Sequence, residues 1–191
     1  MTTVTVFGKG NMGQAIGQNF IDAGNDVNYI EANDKIENIG NIVVLAVPYD
    51  VATAIAKDNV AVFENKIVID ISNPLNFETW DSLVVPADSS AAAQIAEILP
   101  KSTVVKGFNT TFAGTLVSKK IGDSHQTTVQ LASDNDEAKQ EIIAALENSG
   151  LNVVDAGSLK RARELEAVGF LQMTLAVKET IGWTGGFGLF K

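Results

Sequence analysis

Val4-Thr5-Val6-Phe7-Gly8-Lys9-Gly10-Asn11-Met12-Gly13 is a short apolar run that passes directly into a G-x-G-x-x-G. The motif lies where a buried strand should end and a helix should begin. There Gly8 permits a tight turn, Gly10 lets the backbone approach a pyrophosphate, and Gly13 lets the helix pack closely on the strand. The pyrophosphate would rest on the free N–H groups and positive dipole end of a helix predicted over 11–23, with Lys9, Asn11 and Met12 in the variable places. Glu31 follows eighteen residues after Gly13, near the end of the next apolar run at 27–30. A glycine-rich turn without a ligand is the alternative. The strand before and helix after the motif favour a dinucleotide.

Working outward, runs rich in Val and Ile recur at 3–7, 27–30, 42–47, 66–71, 103–107, 127–132 and 152–155. Continuous apolar runs such as Ile42-Val43-Val44-Leu45-Ala46-Val47 suit parallel strands buried on both faces. Helical patterns lie between them. Asp50 is expected to cap a helix through Lys57, and Ser89 or Ser90 one over 91–99 that Pro100 ends. Asp134 and Glu137 resemble a capping box for a helix reaching Ser149, with Gly150 as its stop. Alternating strands and helices predict an α/β fold, a Rossmann-type doubly wound and mostly parallel sheet. Only ten residues, 32–41, separate the second strand from the third, too few for an ordinary helical crossover. One βα unit is therefore expected to be shortened or missing on the adenine side. A dinucleotide-binding domain is predicted over 1–157. Residues 158–191 would add a helix over 159–181, with Leu159, Ala162, Leu165, Val168, Leu171 and Leu175 on one stripe, and a Gly/aromatic tail packed on that domain.

The formal net charge of −9 argues against a nucleic-acid binder, which needs clustered Lys and Arg. With no cysteine and one histidine, His125, neither a disulfide, a thiolate metal site nor a His-rich metal centre is expected. No run approaches the length of a membrane span, and no signal-peptide pattern opens the chain, so a cytoplasmic location is expected.

A set of ordered segments adds a resemblance. Val6-Phe7-Gly8-Lys9-Gly10-Asn11-Met12-Gly13, Val44-Leu45-Ala46-Val47-Pro48, Asp70-Ile71-Ser72-Asn73-Pro74-Leu75 and Lys106-Gly107-Phe108-Asn109-Thr110 come first. Asp134-Asn135-Asp136-Glu137-Ala138, Val154-Asp155-Ala156-Gly157-Ser158-Leu159 and Ala162-Arg163-Glu164-Leu165-Glu166 follow. Over nearly the whole chain this resembles the coenzyme F-420-dependent NADP oxidoreductases, a group that shares its cofactor domain with membrane metalloreductases. The resemblance implies hydride transfer between a nicotinamide and a flavin-like or deazaflavin acceptor. Such a reaction needs positioning more than acid–base groups, and no catalytic residue is assigned. The Gly10-to-Ile16 run also fits pyrroline-5-carboxylate reductases and β-hydroxyacid dehydrogenases, which use a long helical second domain. A non-catalytic dinucleotide sensor is a third reading, favoured if the tail covers the nicotinamide face.

Candidate cofactor residues lie at the carboxyl edge of the sheet, where ligands bind in open α/β folds. Val47-Pro48-Tyr49 is a cofactor-lining turn or a strand terminator. Asn73, before Pro74, is placed to meet the nicotinamide ribose or carboxamide, or to stabilise the turn. Phe108 offers a ring or fills the core, while Asn109 and Thr110 have donors and acceptors suited to a carboxamide. Arg161 and Arg163 read as local partners of Glu164 and Glu166, and His125 as a solvated loop residue. Trp183 and Phe187 form either a wall over the acceptor or a packed tail, with a homodimer contact as one use.

For the dinucleotide, Glu31 is the type of residue that bonds a ribose 2′-hydroxyl and repels a 2′-phosphate. The resembled family carries Ser or Thr followed by Arg there, so Glu31-Ala32-Asn33 is a departure. Lys9 is placed near a 2′-phosphate, or could pair with Glu31, and Lys35 is close in sequence. NADP is the expected cofactor, with NAD as the alternative.

Overall fold

The computed structural model describes residues 1–190. Its strands are β1 (Thr3–Phe7), β2 (Asp26–Ile30), β3 (Ile42–Leu45), β4 (Ile67–Asp70), β5 (Thr103–Lys106), β6 (Lys120–Ile121), β7 (His125–Gln126), β8 (Thr128–Ala132) and β9 (Asn152–Gly157). Its helices are α1 (Asn11–Asp22), α2 (Tyr49–Asp58), α3 (Ala91–Ile98), α4 (Ala113–Ser118), α5 (Asp136–Ala145) and α6 (Ala162–Val177). Seven strands form one sheet in the order β2-β1-β3-β4-β5-β8-β9, and β6 and β7 make a small separate ribbon. The sheet is parallel except where β8 meets β5, at Lys106 and Ala132. This is the Rossmann-type, mostly parallel architecture expected.

Both faces of the central strands are covered, which explains their continuous apolar runs. Val4, Val6, Ile42 and Val44 point into one core with Ile16, Phe20 and Leu116. Their neighbours Phe7, Val43 and Leu45 point into the other with Phe63, Ile95 and Leu99. That split is the two-residue alternation of a strand expressed in a three-layer fold. The second and third strands are joined without a helix, as expected, and β2 lies at the edge of the sheet. Gly40 makes this short route possible: a Cβ there would stand 2.1 Å from the Thr3 carbonyl oxygen.

Several helix boundaries differ from the sequence reading. Pro48, not Asp50, is the N-cap of α2, and Asp50 sits in its first turn, where its charge meets the helix dipole. Asn135 rather than Asp134 caps α5, accepting from the Ala138 N–H at 2.9 Å. Asp134 is engaged elsewhere, accepting from the Leu159 N–H at 3.0 Å. That helix stops at Ala145, short of Ser149, and the chain then takes left-handed conformations at Asn148 and Gly150. The last helix begins after a 3-10 turn (Leu159–Arg161) and ends at Val177, before Glu179 turns left-handed. Its buried face carries Ala162, Leu165, Glu166, Gly169, Gln172 and Ala176, whereas Leu171 of the expected stripe is exposed.

Residues three apart drift by about 60° per step on an α-helix, which sets Leu171 opposite Ala162; the buried face also carries a charge network. Lys106 at the end of β5 is fully buried and bonds Asp70 at the end of β4 at 2.7 Å and Glu166 of α6 at 2.8 Å. Its ammonium also donates to the Ser72 carbonyl. The second Glu166 oxygen accepts from the Ala91 N–H at 3.0 Å, at the start of α3. Asp70 completes the group by accepting from the Ser72 N–H and hydroxyl at 3.0 and 2.7 Å. Burial pushes the Glu166 carboxyl above its ordinary value, and the Lys106 charge opposes that push. One cation thus joins two strand ends, a helix start and the last helix.

Replacing Lys106 by Met should lower stability by about 3–5 kcal/mol, because two carboxylates stay buried without their counter-ion. Adding Asp70→Asn and Glu166→Gln should recover part of that loss. Urea unfolding of the single and triple variants tests this: equal stability of Lys106→Met and the parent would show that the ammonium does not hold the network.

Candidate functional site

The glycine loop follows from steric limits that can be checked one residue at a time. Gly8 has φ +91°, and a Cβ on it would lie 2.6 Å from the Ala46 carbonyl oxygen. A Cβ on Gly13 would lie 2.0 Å from the Gly8 carbonyl oxygen. Gly10 differs: it is exposed, and a Cβ there would meet nothing within 4 Å. Its hydrogen therefore serves no internal contact, as expected of a place kept open for a ligand. Gly10 is also the N-cap of α1, with no side-chain hydrogen bond at the cap and no acidic residue in the first turn. The backbone N–H groups at this helix end are free of side-chain competitors, and the dipole favours an anion. Gln14 steadies the loop by donating to the Lys9 carbonyl at 2.8 Å.

Beside this helix end opens a cavity of about 630 Å³. Gly10, Asn11 and Met12 form one side, and Val47, Pro48 and Tyr49 continue it beyond β3. Ser72 and Asn73 follow β4, and Asn109 and Thr111 follow β5. Phe112 to Gly114 with Trp183, Phe77 and Met173 complete the lining. Its volume falls within the range of small-molecule sites, about 300–1,000 Å³. Burial first, then the Glu166 and Asp70 carboxylates, push the Tyr49 phenol above its ordinary value, so it stays a neutral hydrogen-bonding group.

Two side-chain amides meet at the base. Asn109 donates to the Asn73 amide oxygen at 2.9 Å and to the Leu165 carbonyl at 2.8 Å. Asn73 donates to the Asn109 carbonyl at 3.0 Å and approaches the Met173 sulfur at 3.6 Å. Gly169 of α6 permits this, since a Cβ there would stand 2.4 Å from the Asn73 oxygen. The Asn109 amide oxygen is buried and has no partner among the described residues. A buried acceptor left open is costly unless a donor reaches it.

The structure thus brings together Gly10, Asn11, Met12, Val47, Pro48, Tyr49, Asn73 and Asn109 around one cavity. Phe108 is a correction: its ring is fully buried against Phe20, with centroids 6.4 Å apart, and it offers no face to the cavity. A left-handed backbone at Phe108, φ +62°, turns the side chain into the core. Thr110 is buried away from the lining and accepts from Gln130 at 3.3 Å. Pro74 is buried behind the edge, its carbonyl accepting from the Val84 N–H at 2.7 Å. Gly8, Lys9 and Gly13 shape the loop without lining the cavity.

At the β2 end, Lys9 and Glu31 do not pair. The Lys9 ammonium stands 5.4 Å from the centre of the Tyr29 ring, a cation–π contact. Glu31 is exposed, and Asp34 accepts from its N–H at 2.8 Å. Elsewhere the arginines behave as local partners: Arg161 and Arg163 lie 3.6 and 3.8 Å from Glu164. His125 is exposed against Phe190. Among the described residues no cluster of side chains could hold a metal ion, and no helix is long and apolar enough to cross a membrane.

Sequence reasoning missed Phe77, Thr111, Phe112 and Met173. Phe112 was within reach, because it follows the Phe108-Asn109-Thr110 segment at the same sheet edge. Phe77 and Met173 come from remote segments, and no local signal marks them.

Fold and site together define a Rossmann-type dinucleotide-binding fold whose glycine loop opens into a cavity lined in part by Phe77, Phe112 and Trp183. No protein-family profile matches the chain. It is 27% identical to the F420-dependent NADP reductase of Methanocaldococcus jannaschii over 164 residues, 84% of this chain and 72% of that one. Over 110 residues it is 33% identical to human metalloreductase STEAP2, covering 58% of this chain but only 21% of that protein. A crystal structure assigned as an F420-dependent NADP reductase from Arthrobacter sp. FB24 superposes with a TM-score of 0.85 over the full length of both chains, at 20% identity. That last likeness is one of fold.

The open space at Gly10 yields a sharp expectation. Gly10→Val should abolish dinucleotide binding while the thermal midpoint stays near that of the parent. Gly13→Ala should instead lower the midpoint, because its Cβ meets backbone. Calorimetric titration and thermal melts on both variants decide the matter; retained affinity in Gly10→Val would remove the pyrophosphate from this loop.

Proposed function

We propose that the chain is an NAD(P)H-dependent oxidoreductase that passes a hydride between a nicotinamide dinucleotide and a flavin-like acceptor, deazaflavin included. The observation that carries this reading is the adjacency of two features. An uncapped α1 N-terminus with an unfilled Gly10 edge opens directly into the cavity at the carboxyl ends of β3, β4 and β5. The similarity to the Methanocaldococcus jannaschii reductase supports the same chemistry.

A bound dinucleotide supplies the hydride. The chain's own part is to hold and orient it. Backbone N–H groups at Asn11 and Met12 receive the pyrophosphate, and Val47, Pro48 and Tyr49 bound the ribose path. The Asn109 amide, oriented by Asn73 at the base of the cavity, is the group set to face the carboxamide. No side chain need move a proton in the hydride step, so positioning supplies the rate. NADP is the dinucleotide of this reading, with Lys9 the cation available to the 2′-phosphate. Glu31 is the group that would instead favour the plain ribose of NAD. The reading includes action in the cytoplasm and pairing of two copies, the latter supported by the exposed Phe187 and Phe190 of the tail.

The experiment is titration with NADPH and NADH, then aerobic-free assays of nicotinamide oxidation with flavin, deazaflavin and quinone acceptors. Turnover with at least one acceptor is expected. Binding without any turnover would turn the protein into a dinucleotide sensor. Lys9→Ala should weaken NADPH more than NADH; equal weakening would remove Lys9 from the 2′-phosphate.

A further inference from the structure

The acceptor half of the cavity has a chemical character that narrows the acceptor class. Among the described residues, no Lys, Arg or His lines the cavity, and no Asp or Glu does either. Beneath Ser72 the Lys106 ammonium is fully buried and already held by Asp70 and Glu166, so it is not available to a ligand. What the outer wall does offer is flat and apolar. The Phe112 and Trp183 rings lie 4.9 Å apart at 60°. Phe112 is buried, whereas Trp183 stays 54% exposed beside the opening. The tail is seated there closely, since a Cβ on Gly114 would stand 2.9 Å from the Trp183 carbonyl oxygen. Phe77, 55% exposed, faces the same space. Half-exposed aromatic surface at a cavity mouth is what a planar ring covers on binding.

We infer that the hydride acceptor is an uncharged planar ring, of the kind shared by quinones and by flavin or deazaflavin rings without a phosphate-bearing tail. Trp183 and Phe112 are its stacking wall. The inference rests on the oxidoreductase reading above and narrows its acceptor. A phosphate dianion on the acceptor would find no cation among the described residues that line the cavity, on a protein of formal charge −9. The α1 N-terminus at its other side is given to the dinucleotide in this reading. Reduction of such a ring consumes one hydride from the dinucleotide, carrying two electrons, and one proton from solvent. The dinucleotide is left oxidised and no third reactant is required.

Riboflavin and FMN differ by one phosphate and share one ring, so they isolate the charge. With the protein saturated by NADP⁺, each is titrated and its fluorescence followed, alongside menadione detected by tryptophan quenching. Riboflavin and menadione should bind, and riboflavin should bind at least about tenfold more tightly than FMN at low salt. Added salt should narrow that gap by screening the repulsion of FMN, leaving riboflavin unchanged. Trp183→Ala should weaken riboflavin about fivefold or more with NADP⁺ affinity unchanged, and Trp183→Phe should retain most of the binding. FMN binding as tightly as riboflavin, or weakening as salt rises, would overturn the uncharged-acceptor inference while leaving the oxidoreductase reading in place. Failure of NADP⁺ to bind, or of NADPH to reduce any of the three, would overturn both.

Discussion

The buried ammonium of Lys106 is the point on which the carboxyl edge of this sheet depends. It carries one positive charge against two carboxylates, Asp70 and Glu166, in a place without solvent. Such a group costs a large desolvation energy, which is offset only when every polar atom finds a partner. The fold meets that demand through backbone: the Ser72 N–H and carbonyl, and the first N–H of α3. Meeting it fixes the direction in which the chain leaves β4. Ser72 is held, so Asn73 follows in a set position, and Asn73 in turn orients Asn109. Geometry at the base of the cavity is thereby inherited from a charge network that never touches the cavity.

The same constraint explains why the last helix belongs to the site. Glu166, which meets both Lys106 and the start of α3, shares its buried face with Gly169, while Leu171 lies on the other side of the helix. Gly169 admits the two amides against the helix, and Met173 one turn later lines the cavity.

This is also where the sequence stopped being readable. Strand positions, the glycine loop and the edge segments at Val47, Asn73 and Asn109 were legible, because hydrophobic period and chain order place strand ends without long-range knowledge. The face of α6 was not, since residues three apart drift around a helix of about 3.6 residues per turn, and Gly169, Gln172 and the charged Glu166 give no apolar signal on the face that is buried. Phe108 failed for a local reason: a single left-handed residue reverses the direction in which a side chain points, and a phenylalanine gives no signal for that conformation. Asp134 failed because two adjacent residues could each cap α5, and the one needed by Leu159 was lost to it. Phe77 and Met173 became site residues only through tertiary closure.

The β2 edge and the amide pair at the base of the cavity differ sharply in burial. At the β2 edge, the absence of a further βα unit leaves Lys9, Tyr29 and Glu31 close to solvent. Charges there act through water and salt, which reduces each to a modest preference. At the other end, Asn109 is buried with an open acceptor, and an unmet hydrogen bond there carries its full cost. In the proposed dinucleotide reading, binding energy is therefore concentrated at the pyrophosphate and nicotinamide, the parts common to NAD and NADP. Discrimination between the two falls to a few exposed charges that single substitutions can reverse. A site arranged this way can change its dinucleotide without disturbing the buried geometry that positions the reacting ring.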